Sequence, residues 1–161
     1  MLQPGTQVEK YVVRAMLGKG GMATVYIVEH RVLGSRHALK LLQRVDPAIT
    51  RRLMREGRVQ AQLSHPNVVP VQDVLNLDGR PGLLMPLVDG PDLSRLLASG
   101  PLPEPAAAQL FREIVRGVEY AHEHGIVHRD LKPANVLLDV RHHQIVARVA
   151  DFGLATAGEG V

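Results

Sequence analysis

The segment Gly18-Lys19-Gly20-Gly21-Met22-Ala23 lies between two runs that read as β-strands, and it narrows the fold more than any other stretch. Before it, Tyr11 to Leu17 alternates well enough for a strand. After it, Thr24-Val25-Tyr26-Ile27-Val28 is β-branched and aromatic. A glycine loop between two strands is a hairpin. A dinucleotide fold needs its glycines to open a helix, and a Walker loop needs Gly-Lys followed by Ser or Thr. Neither condition is met here.

Gly34 marks a turn, and His37 to Leu42 reads as a third strand. Asp46-Pro47 is a helix start, with Asp as N-cap and Pro at the first helical position. The spacing predicts a helix to about Leu63, stopped by His65-Pro66. Its inward stripe is Ile49, Leu53, Glu56, Gln60 and Leu63. Glu56 stands out, because a carboxylate centred in an apolar stripe needs a cation if it is buried. Arg51, Arg55 and Arg58 on the opposite side read as a solvated face. Val68 to Leu77 and Leu83 to Val88 read as two further strands, joined by a turn at Asp78-Gly79-Arg80. Pro70 and Pro86 suggest edges or bulges in them.

From there the pattern turns helical. Asp92 to Ala98 is a short helix, and Glu104 to His124 is the longest periodic segment. Ala107, Leu110, Ile114, Gly117, Val118 and Ala121 share one of its faces. Gly125 is its C-cap. Next comes Ile126-Val127-His128-Arg129-Asp130-Leu131-Lys132-Pro133-Ala134-Asn135, then the apolar triplet Val136-Leu137-Leu138, which reads as a short strand. An acid, a lysine and a carboxamide crowded into one loop between apolar segments point to an active site on rigid supports. Ile145 to Val149 is another short strand, ending at Asp151-Phe152-Gly153.

Composition excludes several classes of function. The 161 residues include no cysteine, so disulfides and thiolate metal sites are out. The net charge is only +3 and aromatics are 3%, so no basic, aromatic-interleaved surface for nucleic acid is expected. No apolar run approaches a membrane span and no signal-peptide pattern opens the chain, so a cytoplasmic location is expected. The histidines, among them His122, His124, His128 and the pair His142-His143, lack the spacing of a metal site. His128 reads as a packing residue that shapes the loop, and His142-His143 as a solvated turn.

Gly18 to Tyr26, Ala38-Leu39-Lys40, His128-Arg129-Asp130 and Asp151-Phe152-Gly153, in that order, resemble the eukaryotic-like (Hanks-type) serine/threonine protein kinases of bacteria. The likeness runs from about Tyr11 to Ala155. It implies an α+β, bilobal, protein-kinase-like fold. Residues 1–88 would form a five-stranded antiparallel N-lobe with one helix, and residues 89–161 the first part of a helical C-lobe. It implies ATP and Mg²⁺ as cofactors and a protein substrate with a Ser or Thr acceptor. Leu17, Gly18, Lys19, Gly20, Gly21, Met22, Ala23, Thr24, Val25 and Ala38 would surround the nucleotide, with Lys40 on its α and β phosphates. Glu56 would hold Lys40, which supplies the cation that the misplaced carboxylate needs. Met85 falls at the gatekeeper position. The carbonyl of Pro86 and the amide of Val88 would meet adenine, and Asp92 falls where the family places its ribose-binding acid. Asp130 would take the proton of the attacking hydroxyl, Lys132 would neutralise the transferring phosphate, and Asn135 and Asp151 would hold Mg²⁺. Arg129 beside Asp130 suggests an activation loop ordered by phosphorylation.

The sequence departs from the family in two places. Ala23 stands where the third loop glycine usually falls, a position that tolerates a small side chain. After Gly153 only eight residues follow, so the Ala-Pro-Glu motif and the later helices of the family are absent from this chain. Apolar faces near Val127, Leu131 and Val136 are therefore expected to lie open. The chain is expected to bind Mg-ATP weakly and to phosphorylate little. The alternative is a non-catalytic nucleotide-binding or interaction module derived from a kinase.

Overall fold

A computed structural model describes residues 1–141 and 144–152, without the side chains of Glu56 and Arg141. The chain forms two compact units, Met1–Arg58 with Val71–Leu87, and Val59–Pro70 with the chain from Val88 onward.

The first unit is a six-stranded antiparallel sheet in the order β1-β2-β3-β4-β6-β5. Its strands are β1 (Gln7–Val8), β2 (Tyr11–Lys19), β3 (Ala23–His30), β4 (Arg36–Leu42), β5 (Asp73–Leu77) and β6 (Arg80–Pro86). The glycine segment is the β2–β3 hairpin, as the flanking runs require. Five strands were expected, and the sixth is β1. It is two residues long, too short to show a period, and folds back on β2 through Glu9 at φ 50°. The strand expected over Val68–Leu77 is confined to Asp73–Leu77. Val68 instead makes a single parallel bridge to Val149, and Pro70 has no N–H to continue a ladder. Pro86 does not mark an edge. It closes β6, an interior strand, where a missing donor costs little. Asp78 and Gly79 join β5 to β6 as a two-residue turn, both at positive φ (52° and 80°), the conformation that Asp-Gly favours.

Alternation sorts β4 into two faces. Leu39 and Leu41 join Tyr11, Val13, Tyr26, Val28, Leu75 and Leu84 in one buried layer. Leu42 turns the other way, packing with Leu83 and with Leu53 of helix α1 (Pro47–Gln60). Asp46 caps α1 as its sequence demands: its Oδ1 accepts from the backbone N of Ala48 at 2.8 Å and of Ile49 at 3.0 Å. The helix stops at Gln60, short of Leu63. There the chain tightens into 3.2 Å bonds from Gln62 N to Val59 O and from Leu63 N to Gln60 O, and Gln60 Nε2 donates to Val69 O at 2.6 Å. Arg51, Arg55 and Arg58 are exposed, as read from the pattern.

The second unit holds α2 (Leu93–Leu97), α3 (Glu104–Glu123) and the hairpin of β7 (Val136–Arg141) and β8 (Gln144–Val149). The turn read at His142-His143 lies outside the described residues. Residues 59–70, read from sequence as part of the first lobe, belong here by contact. Leu63 and Val68 pack with Ala121, Ile126, Val149 and Phe152. Asn67, 5% exposed, stitches this strap to β8. Its Nδ2 donates to Ala147 O at 2.9 Å and its carbonyl accepts from Val149 N at 2.8 Å. Across the β7–β8 hairpin, Asp139 (1% exposed) and Arg148 form an ion pair, with Oδ2 and Nε 2.9 Å apart. The Nε–H is not aligned on that oxygen as a hydrogen bond, so the contact is chiefly Coulombic. Among the described residues no helix is long and apolar enough to cross a membrane.

Gly125 ends α3 at φ 71°. Its N–H reaches His122 O at 2.9 Å, and that of Ile126 reaches Ala121 O, also at 2.9 Å. This bond pair is a Schellman cap, and the accompanying apolar contact is Ile126 on Ala121. Gly117 is needed for a different reason: a Cβ there would sit 2.5 Å from Asn67 O. Gly125→Ala meets no atom, and its left-handed backbone alone is expected to cost about 1 kcal/mol. Gly117→Ala must displace the carbonyl that holds β8, with an expected loss of about 2–3 kcal/mol. Denaturant unfolding of the two variants checks the order; equal losses would refute it.

Candidate active site

The loop after α3 gathers the expected catalytic groups. His128 is buried and Asp130 partly exposed, and Pro133–Asn135 forms a single 3₁₀ turn that leads into β7. The turn follows from Pro133 at its first position, where no N–H is needed. It aims the carboxamide of Asn135 back along the loop. Asn135 Nδ2 donates to Asp130 O at 2.9 Å and more weakly to Asp130 Oδ2 at 3.3 Å. Lys132 Nζ donates to the same Oδ2 at 2.9 Å. Asp130, Lys132 and Asn135 are thus one connected cluster. The Lys132 ammonium, with help from the Asn135 amide, holds the Asp130 carboxyl below the usual aspartate range against a smaller opposing effect of burial.

The cluster is joined to the end of β8 by main-chain bonds. Ala150 N donates to Asn135 O at 2.8 Å, and Ala150 O lies 2.8 Å from His128 Nε2. His128 Nδ1 accepts from Asp130 N at 3.3 Å, so the proton sits on Nε2, which donates to Ala150. Phe152, fully buried, packs on the His128 ring with centroids 4.7 Å apart. Asp151, between these two gripped residues, is half-buried at φ 59°, and Arg129 on the facing loop is at φ 64°. Two non-glycine residues in the left-handed region store about 1–3 kcal/mol each, as functional sites commonly do. Gly153 lies outside the described residues.

The other expected site residues divide between the units. In the first, strand register aligns Gly18 with Val25, Val25 with Lys40, and Ala38 with Met85. Val25, Ala38, Lys40 and Met85 therefore share one face of the sheet. Leu17 and Lys19 lie at the end of β2, Ala23 opens β3, Thr24 follows as a buried residue, and Gly20, Gly21 and Met22 form the hairpin tip. Gln43, absent from the sequence reading, pins that tip: its Nε2 donates to Gly20 O at 2.7 Å and to Ala23 O at 3.4 Å. The side chain of Glu56 lies outside the described residues. In the second unit, Val88 begins the chain toward α2, and Asp92 is the N-cap of that helix. Asp92 Oδ1 accepts from Arg95 N at 2.9 Å.

Val127 and Leu131 are about half exposed, as expected, but Val136 is not. Val136 starts β7 and packs against Leu110, Leu138 and Ala147, because the hairpin itself covers it. Ala150 and Asn67 also escaped sequence reasoning. Ala150 contributes through its backbone alone, and the side-chain bond of Asn67 goes to Ala147, a partner far away in sequence.

The description of the protein kinase domain matches residues 11–160. The chain belongs to the protein kinase family. It is 38% identical over 157 residues to the serine/threonine-protein kinase PknH of Mycobacterium bovis, 95% of this chain and 26% of that protein. It is 42% identical over 166 residues to the DNA damage-responsive serine/threonine-protein kinase RqkA of Deinococcus radiodurans, covering 98% of this chain and 24% of that one. The solved PknI kinase domain of Mycobacterium tuberculosis, as a double mutant, superposes with a TM-score of 0.82 at 33% identity, over 97% of this chain and 63% of that one. The chain thus spans about a quarter of these curated kinases and under two thirds of the solved kinase domain.

Asn135 and Asp151 supply only oxygen donors suited to Mg²⁺. The Asn135 amide nitrogen is engaged with Asp130, and its carboxamide oxygen is the atom that could serve as a metal ligand. Among the described residues there is no group of three or more His, Cys, Asp or Glu that could hold a metal. For the Asp130 carboxyl, Lys132→Ala removes the principal cause of the downward shift, so its titration should move to higher pH. A ¹³C titration of the aspartate carboxyls checks this; an unmoved Asp130 would show that Lys132 does not set its charge.

Proposed function

We propose that this chain carries the nucleotide-binding and catalytic parts of an ATP-dependent serine/threonine protein kinase, which transfers the γ-phosphoryl group of Mg-ATP to a Ser or Thr hydroxyl. The connected Asp130–Lys132–Asn135 cluster, tied by its main chain to Ala150 beside Asp151, is the observation that carries this reading. Phosphoryl transfer asks little covalent chemistry of a protein and much positioning and charge compensation.

Each residue has a role by its chemistry and by family likeness. Asp130, kept ionised by Lys132, orients the acceptor hydroxyl and takes its proton as the new O–P bond forms and the bond to ADP breaks. Lys132 lies 2.9 Å from that carboxylate, positioned to pass its charge to the phosphoryl oxygens. Lys40 holds the α and β phosphates, with Glu56 as its anchor. The glycine hairpin brings backbone amides to the phosphates without Cβ obstruction. Leu17, Val25, Ala38 and Met85 offer apolar walls to adenine, Pro86 O and Val88 N its hydrogen bonds, and Asp92 a carboxylate for the ribose. Asn135 and Asp151 hold Mg²⁺, which supplies charge neutralisation across the phosphates when bound.

Because the chain spans 63% of the solved PknI domain, transfer by this span alone is expected to be slight and nucleotide binding weak. Calorimetry with Mg-ATP should show binding that Lys40→Met weakens about tenfold or more; undiminished affinity would remove Lys40 from its role. Radiolabel transfer to a generic basic protein should be near background. Robust transfer abolished by Asp130→Ala would overturn the expectation of low activity and establish the kinase reading outright. The second reading, a non-catalytic interaction module, draws on the exposed apolar side chains of Phe111, Val127 and Leu131. Its signature is binding of a partner protein that is lost when Phe111, Val127 and Leu131 are replaced by Ser and kept when Asp130 is replaced by Ala.

A further inference from the structure

Strand register gives the first unit a second feature, on the sheet face opposite Lys40. Lys19 pairs with Thr24, Thr24 with Leu41, and Leu41 with Gly82, while Arg80 lies two residues from Gly82 on the same face. There the sheet surrounds a recess of about 170 Å³. Lys19, Arg44 and Arg80 line it together with Thr24, Tyr26, Gln43 and the apolar residues Met1, Leu41 and Leu42, and no Asp or Glu does. Among the described residues, the side-chain nitrogens of Lys19, Arg44 and Arg80 have no hydrogen-bond or ion-pair partner.

Three cations around so small a volume repel one another, and an anion between them turns that repulsion into attraction. Two guanidinium groups offer flat, forked donor sets that match a tetrahedral oxyanion, and an ammonium adds a point charge. A buried threonine hydroxyl adds a neutral donor or acceptor at the wall. Such a set favours a dianion with several equivalent oxygens over a carboxylate. We propose that this recess, lined by Lys19, Arg44 and Arg80 at the margin of the sheet face opposite Lys40, binds a phosphoryl dianion, either free or carried on a phosphorylated side chain. The site belongs to the first unit alone and does not rest on the kinase reading. The wall residue Gln43 also holds Gly20 and Ala23, so the recess lies directly behind the glycine hairpin.

The test titrates the protein with inorganic phosphate at fixed ionic strength and follows amide hydrogen exchange. Added protection is expected in peptides covering Thr24–Val28 and Leu41–Arg44, half-saturating on the order of 1 mM. The charge-reversed pair Arg44→Glu with Arg80→Glu should weaken it at least about tenfold, with exchange elsewhere unchanged. If that pair unfolds, Arg44→Gln alone should weaken it by a smaller factor. A phosphothreonine peptide that binds more tightly than phosphate, with an unphosphorylated counterpart that does not bind, assigns a protein-borne phosphoryl group; equal affinity for peptide and phosphate assigns the free ion. Protection that chloride reproduces at the same ionic strength, or that survives the arginine substitutions, overturns the proposal. So does protection lost on adding a non-hydrolysable ATP analogue, which would place the phosphate in the nucleotide site.

Discussion

Both polar groups of the Ala150 backbone are held by the loop that carries Asp130: the amide by Asn135 O and the carbonyl by His128 Nε2. The positions of Asp151 and Phe152 depend on this grip. Each bond contributes on the order of 1 kcal/mol net, but leaving such a buried group unmade costs about 1–3 kcal/mol. The arrangement is therefore better described as obligatory than as strongly stabilising. It also explains why His128 is buried beside Phe152 rather than turned to solvent. A phenyl ring of similar volume would fill the space but supply neither the acceptor for Asp130 N nor the donor for Ala150 O.

Local chemistry was legible in the sequence, and long-range main-chain pairing was not. Asp46 before Pro47, Asp78-Gly79 between two apolar runs, and Gly125 after a helical stripe each announce their structure through bonds that span only a few residues. Motif order likewise located Asp130, Lys132 and Asn135, and the structure joins them in one hydrogen-bonded cluster. The failures share a cause. Val68 looked like the start of a strand because it is apolar and β-branched, yet its fate is set by Val149, far away in sequence. Val136 was expected to lie open because the later helices of the lobe are absent, yet the returning β8 and Leu110 of α3 cover it. Gln7–Val8 is a strand only because β2 offers an edge to pair with. Ala150 works through carbonyl and amide groups that every residue has, so its identity carries almost no signal, and the carboxamide of Asn67 meets its partner 80 residues away.

The two units use their backbones differently. In the first, antiparallel pairing carries position across four strands, so Gly18, Val25, Lys40 and Leu83 fall in one row, β2 reaching it through two shifts of register against β3. Strand pairing there fixes the backbone position of Lys40. In the second, regular pairing is limited to one hairpin and isolated bridges, and the functional loop is held by individual hydrogen bonds. Substitutions in the first unit should therefore act through register and packing. In the second, they act through single polar groups.

Asp139 and Arg148 sit diagonally across the β7–β8 hairpin, with Asp139 almost wholly buried. Burying that charge yields little stability even with a cation beside it. What it does is forbid alternatives. If β8 slipped one residue against β7, every side chain would change face, and the carboxylate would lose Arg148 inside the protein. The same slip would carry the end of β8 about 3.3 Å along the strand axis, taking Ala150 out of reach of His128 and Asn135. The hairpin is thus a ruler whose single permitted setting is enforced by charge, and its last graduation is the aspartate at position 151.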